Sequence, residues 1–105
     1  MRVIYIAGAY RNRTEWGLIE NIRHAERVAI KLWQRGYAVI CPHLNTAHFG
    51  GLCTDDTWLK GDLEILSRCD AIYVLDNWKQ SRGAQEELKL AIKLRLEIYY
   101  EENGE

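Results

Sequence analysis

The sequence predicts a doubly wound α/β domain, on three observations. Four short apolar runs are rich in β-branched and aromatic residues, helical periodicities separate them, and glycine, proline or polar residues punctuate each junction. The first run, Arg2 to Ala7 (RVIYIA), has almost no polar interruption, as expected of a strand covered on both faces in a parallel sheet. Gly8 ends it and a polar loop from Ala9 to Arg13 follows. Leu18, Ile22, Ala25, Ala29 and Leu32 then recur at helical spacing up to Gly36, a residue suited to the position just past a helix end.

Tyr37 to Cys41 reads as a second buried strand, halted by Pro42. His43 to Thr54 shows no clear period and reads as a long functional loop or lid. Asp55 and Asp56 open a second helix, where acidic residues suit the positive end of the helix dipole, and it runs to about Arg68. Ala71 to Leu75 is the third strand, Asp76 to Arg82 a loop, Gly83 to about Arg95 a third helix and Glu97 to Tyr100 a fourth strand before a charged, frayed tail. The expected architecture is a flavodoxin- or Rossmann-like three-layer sandwich, one domain over residues 1–105, with a mainly parallel sheet in the order 2-1-3-4. Ligands of such sheets bind at the carboxyl ends of the strands, which nominates the loops after Ala7, Cys41 and Leu75.

Composition narrows the partners. Fourteen Lys plus Arg against fifteen Asp plus Glu leave a formal charge of −1, without the basic field that indiscriminate nucleic-acid binding needs. No apolar run approaches the roughly 18–20 residues that span a bilayer. Cys41, Cys53 and Cys69 are an odd, irregularly spaced set, unlike a disulfide framework, so a cytoplasmic location is expected. Cys41, His43, His48 and Cys53 lack zinc-finger spacing, and no metal site is expected. Neither a Gly-x4-Gly-Lys-Ser/Thr loop nor Gly-x-Gly-x-x-Gly occurs, which argues against an NTPase and a dinucleotide-dependent dehydrogenase. A phospho-receiver domain would want acids at the end of the first strand, where Ala7, Gly8 and Ala9 stand.

Two carboxylates break the helical pattern. On a wheel at about 100° per residue, Asp62 falls inside the apolar arc of Trp58, Leu59, Leu63, Ile65, Leu66 and Cys69. Glu87 falls on the apolar side of its helix with Ala84, Leu88, Ala91, Ile92 and Leu94, in the first turn after a strand end, whereas Glu86 lies with Lys89 and Lys93 on the solvent side. A carboxylate on a buried face is unfavourable unless paired or functional. Two of them suggest acid–base or nucleophilic chemistry at an anomeric carbon, where one carboxylate attacks and another group manages the proton.

Three segments carry a resemblance. Ser81 to Ala91 (SRGAQEELKLA), Asp62 to Leu75 (DLEILSRCDAIYVL) and Tyr5 to Arg11 (YIAGAYR) resemble, in order and spacing, the nucleoside 2-deoxyribosyltransferase superfamily, which includes the deoxynucleoside 5'-monophosphate N-glycosidases. The resemblance implies that Glu87 attacks C1' of a 2'-deoxyribose, that Asp62 assists departure of the base or holds it, and that Tyr5 positions Glu87. It implies substrate contacts from Gly8, Ala9, Ser81 and Gly83, with no cofactor. Ser81 in place of an aspartate, together with Arg11 and Arg13, favours a 5'-phosphorylated substrate. His43, Asn45 and His48 are expected to reach the nucleobase from the loop. The four tryptophans, especially Trp58 and Trp78 near loop ends, are candidates for a base-stacking wall or an interface. The implied partners are a small deoxynucleoside or deoxynucleotide and further copies of the chain, since relatives form homo-oligomers.

Against that resemblance the chain is short, so a fifth strand and the carboxy-terminal residues that relatives lend to a neighbouring site are expected to be absent or reduced. Two other readings stay open: a nucleotide-binding or regulatory module that keeps the pocket without turnover, and an NAD-cleaving glycohydrolase.

Overall fold

A computed structural model describes residues 1–102. The elements in chain order are β1 (Val3–Ala7), α1 (Glu15–Gln34), β2 (Ala38–Ile40), α2 (Pro42–Asn45), α3 (Asp55–Leu66), β3 (Ala71–Val74), a 3-10 turn (Trp78–Gln80), α4 (Arg82–Lys93) and β4 (Glu97–Tyr100). All three strand pairings are parallel and the order is β2-β1-β3-β4, as the alternation of elements predicts. The sheet order reverses between β1 and β3, so the crevice beyond their carboxyl ends is where this topology places a ligand.

Strand alternation sorts the core into two layers. Ile4 and Ile6 of β1 pack with Ala25, Val28, Ala29 and Leu32 of α1. Tyr5 and Ala7 turn to the other face, with Leu66 of α3 and Leu88 and Ala91 of α4. Helix ends follow their residues: Thr14, Thr54 and Ser81 cap α1, α3 and α4 by accepting from Gly17, Thr57 and Ala84 backbone N–H groups. Gly36, with φ of +96°, ends the first crossover in the left-handed conformation. At Gly8 a β-carbon would lie 2.5 Å from the Leu75 side chain, so only glycine lets the chain leave β1 beside the end of β3.

The structure departs from the pattern in four places. The expected loop from His43 begins inside a helix, because Pro42 at its first position supplies a helical φ and α2 needs only one turn. The helix expected from Gly83 starts at Arg82, and Glu87, its sixth residue, stands in the second turn rather than the first. Ile92 and Leu94 are exposed rather than core, since they stand past Ala91, the last buried residue of α4, in its last turn and at its carboxyl cap. The tail is fastened rather than frayed as far as Glu101, whose backbone N–H bonds the Val74 carbonyl. Its carboxylate accepts from Asp76 N–H and pairs with His24 Nε2 at 2.9 Å. The rest of the expected tail, 103–105, lies outside the described residues.

Among the described residues no helix is long and apolar enough to cross a membrane.

Candidate functional site

Tyr5 and Glu87 meet because β1 alternation turns Tyr5 toward α4 while the helical period turns Glu87 toward the sheet. The Tyr5 hydroxyl donates to Glu87 Oε2 in a buried hydrogen bond. Only 7% of Glu87 is exposed. Burial raises its carboxyl to about 8, the nearby Asp62 charge adds to the rise, and the Tyr5 hydroxyl opposes it. Asp62, half-buried on α3, is raised by burial to about 6. Tyr5 itself is pushed well above its ordinary value, first by burial and then by the two acids, so it remains a donor.

Glu87 and Asp62 line an open cavity of about 490 Å³ at the carboxyl end of the sheet, while Tyr5, fully buried, stands off its lining and touches Glu87 from within the core. Gly8, Arg11, His43, Trp58, Asp62, Ser81, Gly83 and Glu87 line the cavity, so eight of the residues singled out from the sequence converge on one space. Ser81 accepts the Ala84 N–H as the cap of α4, with Arg82 and Gly83 beside it in the first turn. A β-carbon at Gly83 would meet nothing closer than Ser81 Oγ at 3.8 Å, so the protein packing alone does not require glycine there.

Other expectations fall elsewhere. His43 is not on a lid: it is buried in α2 with Nε2 against the Ala9 carbonyl at 3.1 Å, which fixes the loop after β1. Burial lowers it to about 4, so the ring is neutral and Nε2–H is the donor. Ala9 is buried at the start of that loop, its N–H donating to Asn77 Oδ1, and does not line the cavity. Arg13, Asn45 and His48 are exposed and also lie off the cavity lining, at the entry to α1, the end of α2 and the turns after it. Arg11 reaches the mouth, where it pairs with Asp55. Trp58 forms one wall and tilts against Phe49, with ring centres 6.2 Å apart. Trp78 packs against the core formed with α4 rather than the cavity.

Sequence reasoning missed Arg82, Gln80, Asp55 and Tyr10 as lining residues. Arg82 was within reach, since it stands beside Ser81 and Gly83 in the most specific motif. Tyr10 was equally so, between Ala9 and Arg11 in the Tyr5 to Arg11 motif, whereas Gln80 carries no local signal. The described His, Cys and acidic residues whose ligand atoms come within 4.8 Å of one another are His24, Asp76 and Glu101, not the cysteines of the 41–53 stretch.

The sequence matches the domain of unknown function DUF4406 over residues 2–100. The chain belongs to the DUF4406 family. No curated protein matches this DUF4406 chain by sequence. Among solved structures it superposes on a 2-deoxyribosyltransferase from Bacillus psychrosaccharolyticus with a TM-score of 0.71 and 21% identity, over 93% of this chain and 70% of that one. A 2-deoxyribosyltransferase from Leishmania mexicana gives 0.68 and 17%, over 95% of this chain and 63% of that one. The DUF4406 chain therefore shares their fold, and the resemblance carried by its three motifs holds at that level.

Proposed function

We propose that the protein cleaves or transfers at the N-glycosidic bond of a 2'-deoxynucleoside or its 5'-monophosphate. The observation that carries this reading is Glu87, a buried carboxylate with one neutral donor, Tyr5, placed in an open cavity beside a second acid, Asp62. Glu87 attacks C1', the bond from C1' to the base nitrogen breaks, and Asp62 supplies the proton that leaves with the base. A covalent deoxyribosyl-enzyme results, which water or another nucleobase resolves. A 2'-deoxy sugar lacks the electron-withdrawing hydroxyl that would disfavour positive charge at C1'.

The working form of the acid pair holds one proton. Raised values near 6 for Asp62 and 8 for Glu87 make that form dominant around neutral pH, where Glu87 ionised with Asp62 protonated is one of its two arrangements. The Tyr5 hydroxyl favours this arrangement by hydrogen-bonding the Glu87 carboxylate. Trp58 with Phe49 offers a stacking wall for a base, and Ser81 with Arg82 at the start of α4 suits a 5'-phosphate. Arg11 contributes at the mouth only on leaving Asp55.

The test is chromatography of bases released from a panel of deoxynucleosides and their 5'-monophosphates, with and without a free acceptor base. Release by the wild type and not by Glu87→Ala supports the reading, and the acceptor lanes separate transferase from hydrolase. A Glu87→Ala chain as active as the wild type contradicts it. A second reading, a nucleotide-binding module without turnover, draws on the same upward shift of Glu87, which leaves that carboxyl mostly uncharged at rest near neutral pH. Calorimetric binding of a nucleotide with no base release over hours would establish the module instead.

A further inference from the structure

Helix α1 is the longest element, and it packs on Ile4 and Ile6 of β1. Its buried face is accounted for by Ala25, Val28, Ala29 and Leu32. The side turned away from that face carries four large apolar residues in water: Trp16 is 68% exposed, Ile19 45%, Ile30 51% and Trp33 56%. With Arg23 and Glu26 they form one stripe, Trp16, Ile19, Arg23, Glu26, Ile30 and Trp33, at alternating steps of three and four residues. That is the spacing of a coiled-coil seam, which keeps one narrow face toward a partner helix.

The stripe is also its own mirror image. About the midpoint between His24 and Ala25, Trp16 corresponds to Trp33, Ile19 to Ile30 and Arg23 to Glu26. Two copies of α1 laid antiparallel across a twofold axis at that midpoint therefore match each residue with a complement: indole with indole, isoleucine with isoleucine, and arginine with glutamate twice. Arg23 and Glu26 already pair within one helix at 2.7 Å, so the axis would close a ring of four alternating charges at the centre of an otherwise apolar seam. A twofold contact uses the same patch on both subunits and demands self-complementarity of this kind. A foreign partner would not require palindromic chemistry.

We infer that the exposed stripe of α1 is the interface of a twofold homodimer in which two α1 helices pack antiparallel, with Arg23 of each copy opposite Glu26 of the other. The α1 seam is separate from the cavity, since Trp16, Ile19, Arg23, Glu26, Ile30 and Trp33 do not line it. The inference does not depend on the reading of the cavity.

Charge reversal tests it on the whole chain by sedimentation equilibrium. The wild type is expected to show twice the monomer mass of 12.3 kDa at micromolar concentration. Arg23→Glu and Glu26→Arg each place like charges across the axis, so each alone is expected to dissociate at least tenfold more readily. Mixed in equal amounts they restore both opposite-charge pairs, and a heterodimer close to wild-type affinity is expected. Ile30→Asp, which leaves the charges in place, is expected to give monomer. Far-UV circular dichroism confirms that each variant is folded. A monomeric wild type, either charge variant dimerising like the wild type, a folded Ile30→Asp chain that remains dimeric, or a mixture that stays monomeric while both chains are folded, overturns the interface.

Discussion

Two carboxylates sit nearly dry at the carboxyl end of the same sheet, and they are treated in opposite ways. The Glu101 side chain, 3% exposed, meets a histidine through both oxygens and receives the Asp76 backbone N–H. Glu87, comparably buried, has the Tyr5 hydroxyl as its donor, an acid rather than a base as its charged neighbour, and a cavity at its side. Burial with donors on every side makes a clamp: Glu101 ties the end of β4 to β3 and α1. Burial with too few donors makes a reactive group, because the charge the protein does not stabilise is available to an electrophile.

The sharpest way to break this contrast is Glu87→Gln, which keeps shape and the Tyr5 hydrogen bond while removing the nucleophile. Base release is expected to fall by at least about 10⁴-fold, as for loss of a covalent catalyst. The same variant is expected to alter stability against pH. Glu87 is raised from 4.5 to about 8 in the folded chain, so its contribution is fully present below 4.5 and is lost as pH rises through 8. At about 1.4 kcal/mol per unit this has an upper limit of roughly 5 kcal/mol. Urea unfolding of the wild type should weaken across that interval, and that of Glu87→Gln should be flatter.

Asp62→Asn removes the proton donor, for which a loss of about 10²–10³-fold in kcat is expected. It also removes the like charge that helps raise Glu87, so the Glu87 titration should move down. In the wild type, kcat/KM should follow a bell with limbs near 6 and 8, and Asp62→Asn should lose the bell shape.

On the clamp side, Glu101→Gln leaves His24 without its acid and should lower stability by about 2 kcal/mol in urea unfolding, with base release changed less than threefold. Equal damage to activity from Glu101→Gln and Glu87→Gln would erase the distinction. Among the three residues of the site, the smallest effect on activity is expected from Tyr5→Phe. Losing the hydroxyl removes the one contact that lowers Glu87, so the basic limb should shift upward and kcat should fall about tenfold at neutral pH.

The contrast also explains what could be read without coordinates. Strands such as Ile4 to Ala7 announce themselves because both faces of a parallel sheet are dry, and Asp62 and Glu87 because a charge interrupts an apolar arc. The partner of each buried charge is not local. Glu101 sits in a run of acids that reads as solvated, and His24 lies 77 residues away. His43 reads as a loop residue because a four-residue helix has no period to reveal its buried side. Phe49 against Trp58, and Arg82 at the start of α4, depend on how loops fold back over the sheet, which a helical wheel does not encode. Trp16 and Trp33 are interface candidates in the sequence only as two of four tryptophans; their exposure is a tertiary fact, and with it the stripe on α1 stands out.

The most direct measurement is mass spectrometry of the chain quenched during turnover of a deoxynucleoside 5'-monophosphate. The account predicts one deoxyribosyl phosphate carried on the segment holding Glu87, absent in Glu87→Gln and lost on adding acceptor or with time. Base release by the wild type with no adduct, or with the adduct on another residue, would contradict Glu87 as the attacking group.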